Sequence, residues 1–124
     1  MTPKEGAKTM LYVKDIVQML DATVLYSEDM ETAQVQSVCG SDMMSDVLAY
    51  VKDQSVLLTG LCNPQTIRTA EMMDMVCIVF VRNKQPDEMM IELARQRGIS
   101  IFTTYHTMFT ACGILYSAGL KGSV

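Results

Sequence analysis

Three apolar, β-branched segments recur about twenty residues apart, at Ser55–Thr59, Val76–Val81 and Ile99–Thr103, with one helix-patterned stretch after each. This spacing constrains the chain more than any other feature. Strands alternating with single helices imply right-handed crossovers and a parallel sheet. Val76-Cys-Ile-Val-Phe-Val81 is apolar on both faces, the mark of a central parallel strand covered on two sides. The expectation is an α/β fold: a three-layer α/β/α domain with a mostly parallel sheet of about five strands.

The remaining segments fit this frame. Thr9–Asp21 carries Val13, Ile16, Val17 and Leu20 at helical spacing. Ala22–Tyr26 and Ala33–Cys39 are strand candidates, separated by a polar loop over Ser27–Thr32. Ser41-Asp42 offers an N-cap to a helix whose stripe is Met43, Met44, Val47, Leu48 and Val51, ending at Lys52-Asp53-Gln54. Pro64 and Pro86 suit the first positions of two further helices. In the second of these, Asp87 and Glu88 fall in the first turn and Arg95 and Arg97 in the last, matching the helix dipole. Gly98 is a natural helix terminator. A last helix follows Thr107, with Met108, Cys112, Leu115 and Tyr116 on one face and Gly119 at its end. Residues 1–8 are expected to form a loose polar tail and residues 9–124 a single domain.

Charge and cysteine usage narrow the class. The net charge of -4 opposes general nucleic-acid binding, which needs a basic face, and docking on anionic lipid. No apolar run is long enough to span a bilayer; the longest, Met75–Val81, has seven residues. The first residues are polar and unlike a signal peptide. Cys39, Cys62, Cys77 and Cys112 lack metal-ligand or redox-pair spacing. They read as reduced thiols, with Cys77 and Cys112 as small buried hydrophobes. A cytoplasmic location is expected. The 12 methionines fit core gaps on helices, or, if Met43, Met44, Met72 and Met73 are exposed, an adaptable contact patch.

Open α/β sheets bind ligands beyond the carboxyl ends of their strands. Those loops supply Thr59, Gly60 and Asn63, then Arg82, Asn83 and Lys84, then Thr103, Thr104, Tyr105 and His106. The candidate ligand-binding residues are Thr59, Gly60, Asn63, Arg82, Thr103, Thr104 and His106. Two cations among polar donors suit a small anionic or nucleotide-like ligand. The competing reading makes Arg82 and Lys84 solvated loop cations, Thr103 and Thr104 helix caps, and His106 structural.

Catalytic signatures are absent. The chain has no G-x-x-x-x-G-K-[ST], no G-x-G-x-x-G after a strand and no G-x-S-x-G elbow. A phosphoacceptor receiver would need an aspartate ending a central strand, but these strands end in Arg82-Asn83 and Gly60. A couple of Cys62 with His106 has no third, orienting group. Neither a catalytic residue, a cofactor nor a metal is expected.

Ser41-Asp-Met-Met-Ser-Asp-Val-Leu-Ala49, Val56-Leu-Leu-Thr-Gly60, Val76–Val81, Pro86-Asp-Glu88, Gly98-Ile-Ser-Ile-Phe-Thr-Thr104 and the closing helix together resemble the DRTGG domain family. That family is similar to the N-terminal domain of HPr kinase/phosphorylase. Related modules accompany CBS domains in some pyrophosphatases and precede some phosphotransacetylases. The resemblance spans about residues 9–120. The namesake motif itself is degenerate: its Asp-Arg positions fall at Thr32-Ala33 and its Thr-Gly-Gly positions at Gln36-Ser37-Val38. The resemblance implies a non-catalytic, often dimeric domain that senses a ligand and acts on a partner enzyme or kinase. The alternative is a protein–protein interaction or dimerisation scaffold without a ligand.

Overall fold

The computed structural model describes residues 10–51 and 54–122. The expected tail over residues 1–8 and the helix end at Lys52-Asp53 lie outside them.

Among the described residues, five helices and eight strands follow in the order β1 (Leu11–Tyr12), α1 (Val13–Met19), β2 (Thr23–Tyr26), β3 (Gln34–Val35), β4 (Ser37–Gly40), α2 (Met44–Tyr50), β5 (Ser55–Thr59), α3 (Pro64–Met72), β6 (Cys77–Phe80), α4 (Glu88–Arg97), β7 (Ser100–Thr103), α5 (Met108–Ser117) and β8 (Lys121–Gly122). The main sheet has six strands in the order β2-β7-β6-β5-β4-β8, and β1 pairs with β3 separately. All main-sheet pairings are parallel except β2 against β7. The expected five-strand sheet thus gains Lys121–Gly122, a strand too short and polar to show periodicity.

Side-chain alternation along the strands builds two cores. Val56, Leu58, Cys77, Val79, Val81 and Phe102 point to one face, where Val13, Ile16 and Leu20 and then Ala111 and Leu115 of α5 cover them. Leu57, Ile78, Phe80 and Ile101 point to the other, against Met44, Val47, Ile67, Ala70, Met90 and Ala94 of α2, α3 and α4. This is the three-layer arrangement that the strand–helix rhythm predicts.

The handedness of the crossovers explains the layers. From β4 to β7 the chain steps in one direction across the sheet, so right-handed connections place α2, α3 and α4 on one face. After β7 it returns past β4 to β8, so α5 crosses the opposite face. Adjacent strands β6 and β7 therefore send their helices to opposite faces, which opens a topological switch point between their carboxyl ends.

Several local expectations are corrected. The helix expected over Thr9–Asp21 begins only at Val13, because the Tyr12 N–H donates to Asp15 Oδ2 at 2.9 Å and holds Tyr12 extended. The strand expected over Ala33–Cys39 is two strands in different sheets, divided at Gln36, whose N–H donates to the Gln54 carbonyl at 3.0 Å. Ser41 and Asp42 do not cap α2; the N-cap position is Met43, with no side-chain bond. Met43 and Leu48 are exposed, while Met44 and Val47 are buried. Met44 therefore cannot join a contact patch. Met43 and Met72 are exposed, Met75 and Met90 buried, so the methionines divide between surface and core.

Pro86 precedes α4 instead of opening it. Asp87 is the N-cap, its carboxylate accepting from the Met90 N–H. Gly98 ends α4 in the left-handed conformation at φ 69°, which glycine adopts without a Cβ clash. The cap of α5 is Thr107, not Thr103 or Thr104. Tyr116, expected on the inner stripe of α5, is 74% exposed, whereas Ala111 is fully buried. Cys112 is half-buried, and Cys39 and Cys77 are buried.

Gly40 sets how closely α5 approaches the sheet. A Cβ at this position would stand 2.7 Å from Cys112 Sγ and 3.2 Å from Met108 Sδ. Gly40→Val is expected to lift the helix and cost about 1–3 kcal/mol as an overpacked contact. Urea unfolding measures it, and an unchanged midpoint would refute the close approach.

Candidate functional site

The switch point between β6 and β7 is where the loops of interest meet. After β6 the chain takes two consecutive left-handed residues, Arg82 at φ 56° and Asn83 at φ 55°. Such residues cost of order 1–3 kcal/mol each and persist where surrounding bonds hold them. Here the Arg82 N–H donates to the His106 carbonyl at 2.8 Å and the Asn83 N–H to the Thr104 carbonyl at 2.7 Å. Thr103 Oγ1 donates to the Lys84 carbonyl at 2.8 Å. The β6–α4 and β7–α5 loops are thus stitched into one unit.

Beside this unit lies a cleft of about 310 Å³, lined by Asp42, Gly60, Val81, Arg82, Lys84, Thr107, Met108 and Phe109. Its chemistry is mixed. Arg82 and Lys84 bring two exposed cations. Among the described residues the ion pairs are Arg95–Glu92 and Arg97–Glu71, so neither cleft cation is neutralised by one. Thr107 caps α5, a ten-residue helix with no acidic residue in its first turn. Its amino end therefore presents positive potential to the cleft. By contrast, Asp87 and Glu88 occupy the start of α4.

Asp42 crosses from the β4 end to the β5 end. Its Oδ1 accepts from the Gly60 N–H at 2.6 Å and from Thr59 Oγ1 at 3.2 Å. The carboxylate thereby fixes the β5–α3 turn and leaves an acceptor on the cleft wall.

The structure brings Gly60 and Arg82 together in this cleft. The other candidates serve around it. Thr59, Thr103 and Thr104 are buried, and Thr104 Oγ1 donates to the Leu20 carbonyl at 2.6 Å. Asn63 caps α3, accepting from the Gln65 N–H at 2.9 Å. His106 is half-buried, its N–H donating to Thr104 Oγ1 at 3.3 Å. Burial pushes the Cys62 thiol up, Asp87 adds to this and Lys84 opposes it. A thiol held protonated is a poor nucleophile.

Asp42, Thr107 and Phe109 were not among the sequence candidates. Asp42 was assigned to capping, and its position at a parallel strand end became visible only once Ser37–Gly40 was placed in the sheet. A larger cavity of about 470 Å³ lies at the opposite, amino end of the sheet, where Asp29 and Asp74 line it without any cation. The degenerate Thr32-Ala33 and Gln36–Val38 positions also lie toward that end. Among the described residues no cluster of histidine, cysteine and carboxylate could hold a metal, and no helix is long and apolar enough to cross a membrane.

Fold and cleft together define a doubly wound α/β domain with a loop-lined cleft at its switch point. The chain matches the DRTGG domain over residues 15–118, and it belongs to that family. Its fold is shared with the solved CBS and DRTGG domains of the regulatory region of Clostridium perfringens pyrophosphatase, complexed with the activator diadenosine tetraphosphate. That likeness has a TM-score of 0.70 at 18% identity, over 84% of this chain. The chain spans 45% of the pyrophosphatase regulatory chain.

Proposed function

We propose that this chain is a non-catalytic regulatory domain that takes a small anionic, nucleotide-like ligand in the cleft between Gly60 and Arg82 and passes the bound state to a partner protein. The observation that carries this reading is the pair of exposed cations, Arg82 and Lys84, beside the acid-free amino end of α5 at the switch point. Arg82 and Lys84 would hold phosphate oxygens. Asp42 would accept from a ligand hydroxyl. Gly60 lets a ligand approach the β5 turn, while Asn63 and His106 flank the cleft and Thr59, Thr103 and Thr104 hold its loops in place. The similar pyrophosphatase region supports the ligand class, since it was solved with a dinucleoside polyphosphate activator. The cysteines, which lack redox-pair spacing, suit a reducing cytoplasm, and the partner is expected to be an enzyme or kinase.

Thermal unfolding with diadenosine tetraphosphate, ATP, AMP and pyrophosphate tests this. A ligand at 100 times its Kd stabilises by about 2.7 kcal/mol. Arg82→Ala with Lys84→Ala is expected to weaken binding at least about a hundredfold, since each removes a charged hydrogen bond of about 1.5–3 kcal/mol. No shift with any of the four compounds, or undiminished binding by the double variant, defeats the reading.

A further inference from the structure

Phe109 is the most exposed large apolar side chain among the described residues, at 87%. It belongs to neither hydrophobic core, so packing does not account for an aromatic ring at this position. The ring lines the cleft that also holds Arg82 and Lys84. A pocket for an organic ligand joins apolar or aromatic surface to a few placed polar groups. Phe109 supplies the surface that the two cations lack.

The sheet sets the spacing between ring and cations. Met108, the residue before Phe109, has its sulfur 3.2 Å from where a Cβ on Gly40 would stand. The start of α5 therefore sits over the end of β4. Arg82 and Lys84 follow β6, which lies two strands away across β5. At about 4.8 Å per strand the two ends of the cleft are roughly 10 Å apart, room for a ring, a sugar and a phosphate in a row. The ends are also tied together. The Arg82 N–H donates to the His106 carbonyl at 2.8 Å, and Phe109 follows His106 by three residues. Ring and guanidinium thus rise from one stitched unit, placed before any ligand arrives.

Charge divides along the same direction. Asp42 follows β4 and accepts from the Gly60 N–H at 2.6 Å. The β4–β5 end of the cleft therefore carries a carboxylate, and the β6 end carries two cations. A bare polyphosphate filling the cleft brings negative charge against Asp42. A ligand charged at one end only does not: its phosphates meet Arg82 and Lys84, and its uncharged end lies beside Asp42 and Phe109.

We infer that Phe109 is a base-stacking, specificity-determining residue, and that the cleft selects nucleoside phosphates over inorganic polyphosphates. The inference rests on the ligand reading of this cleft and adds its selectivity. Stacking tolerates any base, because each presents a π face. Phe109 therefore separates a nucleotide from a bare phosphate chain, not one base from another.

ATP and inorganic tripolyphosphate share a phosphate chain, so calorimetric titration of each into the full chain tests the selectivity. The wild type is expected to bind ATP the more tightly. Phe109→Ala is expected to weaken ATP binding by about tenfold to a hundredfold, the range for losing one base–aromatic stack, and to leave tripolyphosphate binding unchanged. The chain has no tryptophan, so Phe109→Trp places a single reporter at the stacking position. That variant is expected to keep the wild-type ATP affinity, and its fluorescence to fall on adding ATP but not on adding tripolyphosphate. Both variants are expected to keep the wild-type circular dichroism spectrum, because the ring lies outside the cores. A wild type that binds ATP and tripolyphosphate equally overturns the inference and leaves the ligand reading in place. So does a Phe109→Ala chain with undiminished ATP affinity. A wild type that binds neither compound also overturns it, and diadenosine tetraphosphate, AMP and pyrophosphate then decide the ligand reading separately. Should Phe109→Ala fail to fold, a Phe109→Trp chain whose fluorescence ATP leaves unchanged is equally decisive.

Discussion

Phe80→Ala and Phe102→Ala are each expected to destabilise the chain by about 3–5 kcal/mol, the range for removing a fully buried ring. Both residues are fully buried, and they point to opposite faces of the sheet. Phe80 packs with Leu57, Ile67 and Met90, and Phe102 with Val56, Val79 and Leu115. Both layers of helices should therefore prove equally necessary. Against a typical total of 5–15 kcal/mol, either change brings the chain close to unfolding. Urea titration reads the effect as a fall of the midpoint with little change of slope. Phe80 carries an added consequence. Its carbonyl accepts from the Thr104 N–H at 2.9 Å and from Thr103 Oγ1 at 3.4 Å. Loss of its ring should loosen the stitched loops, so Phe80→Ala should weaken ligand binding more than Phe102→Ala does. A loss below about 1 kcal/mol for either ring would contradict the two-core packing.

The parts of the fold legible in the sequence are those with strong periodicity. Ser55–Thr59, Val76–Val81 and Ile99–Thr103 carry runs that water-facing segments do not, and each became a central strand within a residue or two. The family resemblance rested on those same runs. Legibility failed where a long-range bond overrode a local signal. Asp42 is a good helix cap by type, yet it turns across to the Gly60 amide, a partner eighteen residues away. Val35 and Val38 look like one alternating strand, yet the Gln36–Gln54 backbone bond sends them to different sheets. Lys121–Gly122 has no strand propensity and pairs only because β4 offers its edge. The candidate site was legible to the level of its loops. Gly60 and Arg82 were named because strand ends bind ligands; Asp42 was missed because it looked like a cap, and Thr107 because Thr103 and Thr104 were taken as the caps before the last helix. Thr107 is one, and it lines the cleft as well.

Raising the pH is expected to expose Cys77. Burial pushes this thiol from its ordinary 9.0 to about 12, with a further rise from Asp29. The folded chain thus keeps the Cys77 proton in a range where the unfolded chain releases it. An acid whose folded pKa is raised stabilises fully below its unfolded pKa, and that stability is lost as pH rises toward the folded pKa. The window here runs from about 9 to about 12. Within it the loss approaches about 1.4 kcal/mol per pH unit. Below it Cys77 contributes no pH dependence. Cys62 and Cys112 are also raised by burial, so the contribution of Cys77 must be isolated by difference. The comparison is urea unfolding of the wild type and Cys77→Ala under reducing conditions, from about pH 7 to about pH 10.5. At neutral pH the wild type is expected to be the more stable, because alanine leaves a void between Val56, Val79 and Phe102. As pH rises past 9, that advantage should shrink by about 2 kcal/mol in the interval to pH 10.5. A constant difference across the series would mean that Cys77 ionises as freely in the folded chain as in the unfolded one, and the core on the α5 face would then have to admit water.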